Sequence, residues 1–124
     1  MLSILIVDDE PLINWSLGQV FEGAGYAVTL AESGEEAEAL AMAGRFDVVL
    51  TDVKMKGMTG FELLRRLKAG LPGVKVVLMT AFSGEAEKDA SLREGADDFI
   101  RKPFNVAEVV QRVRALLAGA ECAF

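Results

Sequence analysis

Three short segments, residues 2–7, 46–51 and 74–79, are nearly continuous apolar runs, each too short for a helix of its own. A strand with apolar side chains on both faces must be covered on both faces, which points to inner strands of a parallel sheet with helices above and below. The intervening segments have the right character to be those helices. Pro11 suits a first helical turn, and Leu12, Ile13, Leu17, Val20 and Phe21 follow at helical spacing up to Gly23 and Gly25. Ser33 followed by Glu36 has the pattern of a capping box, with Ala37, Leu40 and Ala41 continuing that helix to Gly44. A glycine-containing loop over residues 53–60 leads into a third helix with Phe61, Leu64 and Leu67. A fourth helix is expected to open at Ser83 or Gly84 and close at Gly95, and a last one to run from about Asn105 to Leu117. Weaker strand signals fall at residues 26–30 and 96–100. The alternation predicts an α/β fold, a parallel five-stranded sheet between helix layers with right-handed crossovers.

A chain of 124 residues is sized for one domain, and residues 1–118 are expected to form it, with 119–124 a tail or the start of a linker. The net charge of −6 supplies no basic field for nucleic acid or an anionic membrane, so direct binding to either is not expected. Histidine is absent and Cys122 is the single cysteine, which removes histidine-based triads, the usual zinc sites and any internal disulfide. The longest apolar runs are strand-sized and the first residues lack a basic leader, so a cytoplasmic protein is expected.

In an open parallel sheet, ligands bind beyond the carboxyl ends of the strands. The residues at those points are Asp8 and Asp9, Asp52, Thr80 and Lys102. An aspartate after a strand is ordinarily a turn residue, but neutral turn residues would serve five such loops equally well. Clustered carboxylates repel one another unless a cation is present, and oxygen donors without His or Cys select a hard ion such as Mg²⁺. A divalent ion, the Lys102 ammonium and the Thr80 hydroxyl together suit the oxygens of a phosphoryl group in transfer. A carboxylate can be the acceptor, and Asp52 on the central strand is the best placed.

The segments Leu5-Ile-Val-Asp-Asp-Glu10, Leu50-Thr-Asp-Val-Lys-Met55 with Gly57, Met79-Thr-Ala81 and Asp98-Phe-Ile-Arg-Lys-Pro-Phe104 together resemble response-regulator receiver domains of two-component signalling. The resemblance spans about residues 2–118 and implies a flavodoxin-like (βα)5 three-layer sandwich with strand order 2-1-3-4-5. It implies that a sensor histidine kinase phosphorylates Asp52. Asp9, Asp52 and the backbone carbonyl of Lys54 would bind Mg²⁺, Asp8 would help through a water, and Thr80 and Lys102 would contact the phosphoryl oxygens. Phe99 holds the position of the family's switch aromatic, turning inward as Thr80 moves, and the Lys102-Pro103 bond is expected to be cis. Lys56 stands where such domains usually have proline, so the loop after Asp52 is expected to be looser. Lys54 and Phe82 hold positions that tune water attack on the acyl phosphate, with Phe82 expected to shield it.

In this family the fourth helix, fifth strand and fifth helix form the output face. Lys88 with Glu108, and Asp98 with Arg112, occupy positions resembling pairs that bridge two receivers in a large class of transcription factors, which would give a homodimer on phosphorylation. Asn14-Trp-Ser-Leu17 instead looks like receivers of enhancer-binding activators of alternative-sigma-factor promoters, and the sequence leaves the two classes open. The output would be read by a domain beyond residue 124 or by a partner protein. Two other readings fit these residues less well. A Mg²⁺-dependent small-molecule phosphotransferase with an Asp nucleophile would want a second Asp where Lys54 stands. A flavin module would want a Ser/Thr/Gly phosphate loop where Asp8, Asp9 and Glu10 stand.

Overall fold

The computed structural model describes residues 1–80 and 93–121. The expected fourth-helix start at Ser83 or Gly84, together with Ala81, Phe82, Lys88 and Cys122, lies outside them. In chain order the elements are β1 (Ser3–Val7), α1 (Pro11–Gly23), β2 (Ala27–Ala31), α2 (Gly34–Ala43), β3 (Val48–Asp52), α3 (Gly60–Gly70), β4 (Lys75–Thr80), β5 (Asp98–Arg101) and a last helix (Val106–Glu121). All strand pairings are parallel, in the order β2-β1-β3-β4-β5 that the resemblance implied.

Alternation along the strands builds two cores. Leu5, Val7, Val49, Val76, Leu78 and Phe99 face one way, against Ala37 and Ala41 of α2 and Leu63, Leu64 and Leu67 of α3. Ile4, Ile6, Val48, Leu50, Val77, Met79 and Ile100 face the other way, against Leu17 and Phe21 of α1 and Val109, Val113 and Leu117 of the last helix. Burying each large aliphatic side chain contributes about 1.5–3 kcal/mol relative to leaving it in water. The apolar runs were therefore apolar on both faces because both faces are covered.

Local chemistry sets the helix ends. The Ser33 side chain accepts from the Glu36 N–H at 3.1 Å, while the Glu36 carboxylate reaches back to the N–H of Glu32 at 2.7 Å, one residue before the cap. Thr59 caps α3 by accepting from the Glu62 N–H at 3.2 Å, a cap the sequence reading passed over. The Asn105 side chain accepts from the Ala107 N–H at 2.8 Å at the start of the last helix.

Some boundaries shift from expectation for visible reasons. Tyr26 belongs to the turn after α1, its N–H donating to Phe21, so β2 begins one residue later. The Asp97 carboxylate takes the Val76 N–H at 2.8 Å and the Lys68 ammonium at 2.8 Å, so the chain enters β5 at Asp98. The last helix continues past Leu117 to Glu121, because alanines flank Gly119 and sustain the helical backbone. On α1 the rotation differs as well: Leu12 is 73 % exposed, while Asn14 joins Leu17 and Phe21 on the buried side. Among the described residues, no helix is long and apolar enough to cross a membrane.

Candidate functional site

The register of the sheet assembles the site. Val7 pairs with Thr51, so the next residues, Asp8 and Asp52, come level. Asp52 pairs with Met79, and Thr80 pairs with Arg101, which brings Thr80 and Lys102 to the same rim. One carboxylate oxygen from each of Asp8, Asp9 and Asp52 lies within 4.8 Å of the others. The Lys102 ammonium stands 3.2 Å from Asp8 Oδ2 and 3.2 Å from Asp52 Oδ2. Asp8 is wholly buried, Asp52 nearly so, and Asp9 is half-buried at the mouth. The Lys102-Pro103 bond is cis, as expected.

The electrostatics follow from this packing. Burial pushes the Asp52 carboxyl above its ordinary value, and the neighbouring Asp8 adds to the rise. The Lys102 charge, with its hydrogen bond, and the backbone N–H of Lys54 oppose it without cancelling it. Burial also works against the Lys102 charge, but Asp52 and Asp8 outweigh it and hold the ammonium above the usual lysine value. The donor set is all oxygen, anionic, and open at Asp9, which fits a hard divalent cation such as Mg²⁺. The Lys102 ammonium thus bridges two of these carboxylates.

The loop after Asp52 is better held than the Lys56 departure suggested. The Lys56 N–H, which proline would lack, donates to Asp9 Oδ2 at 3.4 Å, and the Met58 N–H donates to Glu35 Oε2 at 3.4 Å. Gly57 has φ +77 and lies so close to Glu35 that a Cβ would meet its carboxylate at 2.8 Å. The Gly60 N–H closes the loop onto the Val53 carbonyl at 2.9 Å. A Cβ on Gly60 would sit 2.3 Å from the Asp52 carbonyl oxygen, so only glycine allows α3 to begin against the strand end.

Thr80 is buried at the end of β4, and its carbonyl accepts the Lys102 N–H at 2.7 Å. Phe99 is 5 % exposed and belongs to the core beside α2 and α3, so the ring is inward in this structure. Its carbonyl accepts from Arg112 at 2.9 Å, and Arg112 also reaches Asp98 at 3.5 Å and Glu108 at 3.9 Å within the same chain. Sequence reasoning missed Glu35 as a brace of the loop and Asn14 as a buried residue. The signal for Asn14 was present: it stands three residues before Leu17, on the stripe that α1 buries.

The chain matches the family described as response regulator receiver domain over residues 4–114. It is 38% identical over 117 residues to the transcriptional regulatory protein ResD of Bacillus subtilis, covering 94% of this chain and 48% of ResD. The chain spans about half the length of the curated relatives it matches. Among solved structures, the CheY-like receiver domain protein of Methanospirillum hungatei superposes with TM-score 0.93 at 33% identity, covering 98% of this chain and 97% of that one. The response regulator TrrA of Thermotoga maritima, in complex with Mg²⁺-BeF, gives TM-score 0.84 at 34% identity, covering 94% of this chain and 99% of that one. With its fold, strand order and family match in agreement, this chain belongs to the response-regulator receiver domains of two-component signalling.

Proposed function

We propose that residues 1–118 are a phosphoacceptor switch in which Asp52 takes a phosphoryl group from a sensor histidine kinase. The observation that carries this reading is the double contact of Lys102 with Asp8 and Asp52, inside a three-carboxylate cluster at the carboxyl ends of the strands. Asp8, Asp9, Asp52 and the Lys54 carbonyl would hold Mg²⁺, whose chemistry there is to neutralise charge on the phosphoryl oxygens. An Asp52 oxygen forms the new bond to phosphorus while the phosphohistidine P–N bond breaks, its electron pair remaining with the imidazole, which takes up a proton. Lys102 is already at the Asp52 carboxylate and can follow the transferred group, and Thr80 supplies a hydroxyl from the neighbouring strand end.

The module turns over no external metabolite. Its output is a change in population between two conformations, with Thr80 and Phe99 as the switching pair; moving it from mostly off to mostly on takes about 5 kcal/mol of differential stabilisation. The surface of β5 and the last helix, with the segment the sequence assigns to a fourth helix, would carry this to an output domain beyond residue 124 or to a partner protein, with a homodimer as one form of the active state. Transcription is the process this reading favours, because relatives such as ResD are transcriptional regulators about twice this length.

The test is incubation with an acyl-phosphate donor and Mg²⁺, read by intact mass. Wild type gains one phosphoryl group and Asp52→Asn gains none; modification of both proteins, or of neither, refutes the assignment. Turnover of donor far beyond protein stoichiometry would move the function to a small-molecule phosphotransferase.

A further inference from the structure

Asn14 is a polar residue on the buried side of α1, 3 % exposed. Its Nδ2 donates to the carbonyl of Ala31 at 2.8 Å, and the same carbonyl accepts the backbone N–H of Asp8 at 3.2 Å. Ala31 ends β2 and Asp8 follows β1, so a single oxygen ties α1, β2 and the acidic turn together. β2 is one of the two edge strands of the sheet and its most exposed strand, with Ala31 its one buried residue. Edge-strand ends fray readily, and nothing on the outer side of β2 pairs with it among the described residues. The donor from α1 therefore braces the point to which Asp8 is anchored.

Asp8 transmits that brace to the site. Its backbone is fixed by Ala31, its Oδ1 accepts the Glu10 N–H at 2.9 Å, and its Oδ2 faces Lys102 at 3.2 Å. The carboxylate has no slack of its own, so the position of the Ala31 carbonyl sets where Asp8, and with it Asp9, stands relative to Asp52. The other half of the Asn14 amide shows that packing is not what the residue is for. Among the described residues, Asn14 Oδ1 is buried without a hydrogen-bond partner. A buried acceptor lacking a donor costs stability, so leucine, of nearly the same shape, would fill the space at least as well. Leucine cannot donate to Ala31.

We infer that Asn14 is a positioning residue for the acidic turn: by holding the Ala31 carbonyl it sets the placement of Asp8 and Asp9 in the divalent-cation site. This rests on the reading of the three carboxylates as that site. The test compares wild type with Asn14→Leu in the intact chain by three measurements: urea unfolding without metal, Mg²⁺ titration by calorimetry, and hydrogen exchange of the Asp8 amide. The expected result is an unfolding midpoint equal to or above wild type, Mg²⁺ binding weakened about 10-fold, and Asp8 amide exchange accelerated about 10-fold. Mg²⁺ affinity and Asp8 exchange both within a factor of two of wild type would overturn the inference. So would a clear loss of stability in Asn14→Leu, which would make the amide an ordinary structural group. If wild type itself binds no Mg²⁺, the cation reading fails separately, and the exchange rate of the Asp8 amide still decides whether Asn14 holds the turn.

Discussion

Replacing Lys102 with methionine tests the electrostatic logic of the site most directly. The substitution keeps most of the buried stem and removes the charge that faces two carboxylates, each at 3.2 Å. At an effective dielectric of about 20, each contact amounts to roughly 5 kcal/mol of Coulomb attraction before desolvation is subtracted. Burial of the ammonium, whose side chain is 15% exposed, takes back much of this. Removing one partner of a buried pair still leaves the other uncompensated, at a cost of about 3–5 kcal/mol. Here two carboxylates are left, one wholly buried. Lys102→Met is therefore expected to lose about 3–5 kcal/mol in chelator, measured by urea unfolding followed by circular dichroism. Saturating Mg²⁺ restores positive charge to the same nest and no longer competes with an ammonium, so it stabilises the variant more than wild type and closes most of the gap. A loss below about 1 kcal/mol in chelator, or equal stabilisation of both proteins by Mg²⁺, would refute the reasoning.

Further outcomes follow from the same geometry. Asp52 has a raised carboxyl, so its ionisation costs the folded state; Asp52→Asn should melt higher than wild type at neutral pH without metal, the difference vanishing once the pH falls below the ordinary aspartate value. Lys102 has a raised ammonium, so the stability gap between wild type and Lys102→Met should be fully present up to the ordinary lysine value and close only as pH climbs through the higher folded value. Gly60→Ala forces a Cβ against the Asp52 carbonyl and should lower stability by about 3 kcal/mol or more in thermal unfolding. Lys56→Pro removes the N–H that competes for Asp9 and should tighten Mg²⁺ binding a few-fold by calorimetry, whereas Lys56→Gln, which keeps that N–H, should shift it by less than a factor of two.

The layers and the rim of the site were legible because both depend on features that do not require knowing contacts. An inner strand of a covered parallel sheet must be apolar on both faces, and the residues just past such strands share one edge once the pairing is parallel. Asp8, Asp52, Thr80 and Lys102 are placed by that arithmetic alone. What was not legible depends on rotation and main-chain geometry. Leu12 and Asn14 both fit a helical stripe, and which of them turns inward is decided by the Ala31 carbonyl at the end of β2, which offers a partner to an amide and none to a leucine. The hold on the loop comes from backbone N–H groups of Lys56 and Met58, which no side-chain pattern reports. Nor does any side-chain pattern report that Arg112, besides pairing with Asp98 at 3.5 Å, also donates to the main-chain carbonyl of Phe99.

Asp8 and Lys102 are 94 residues apart in the chain, and their ion pair exists only when the first strand and the segment following the fifth have both been laid into the sheet. A chain whose fifth strand has not yet docked already carries all three carboxylates of the cluster but lacks the ammonium that offsets their charge. The charge balance of this rim is therefore a property of the whole sheet, settled only when its first and last strands are both in place.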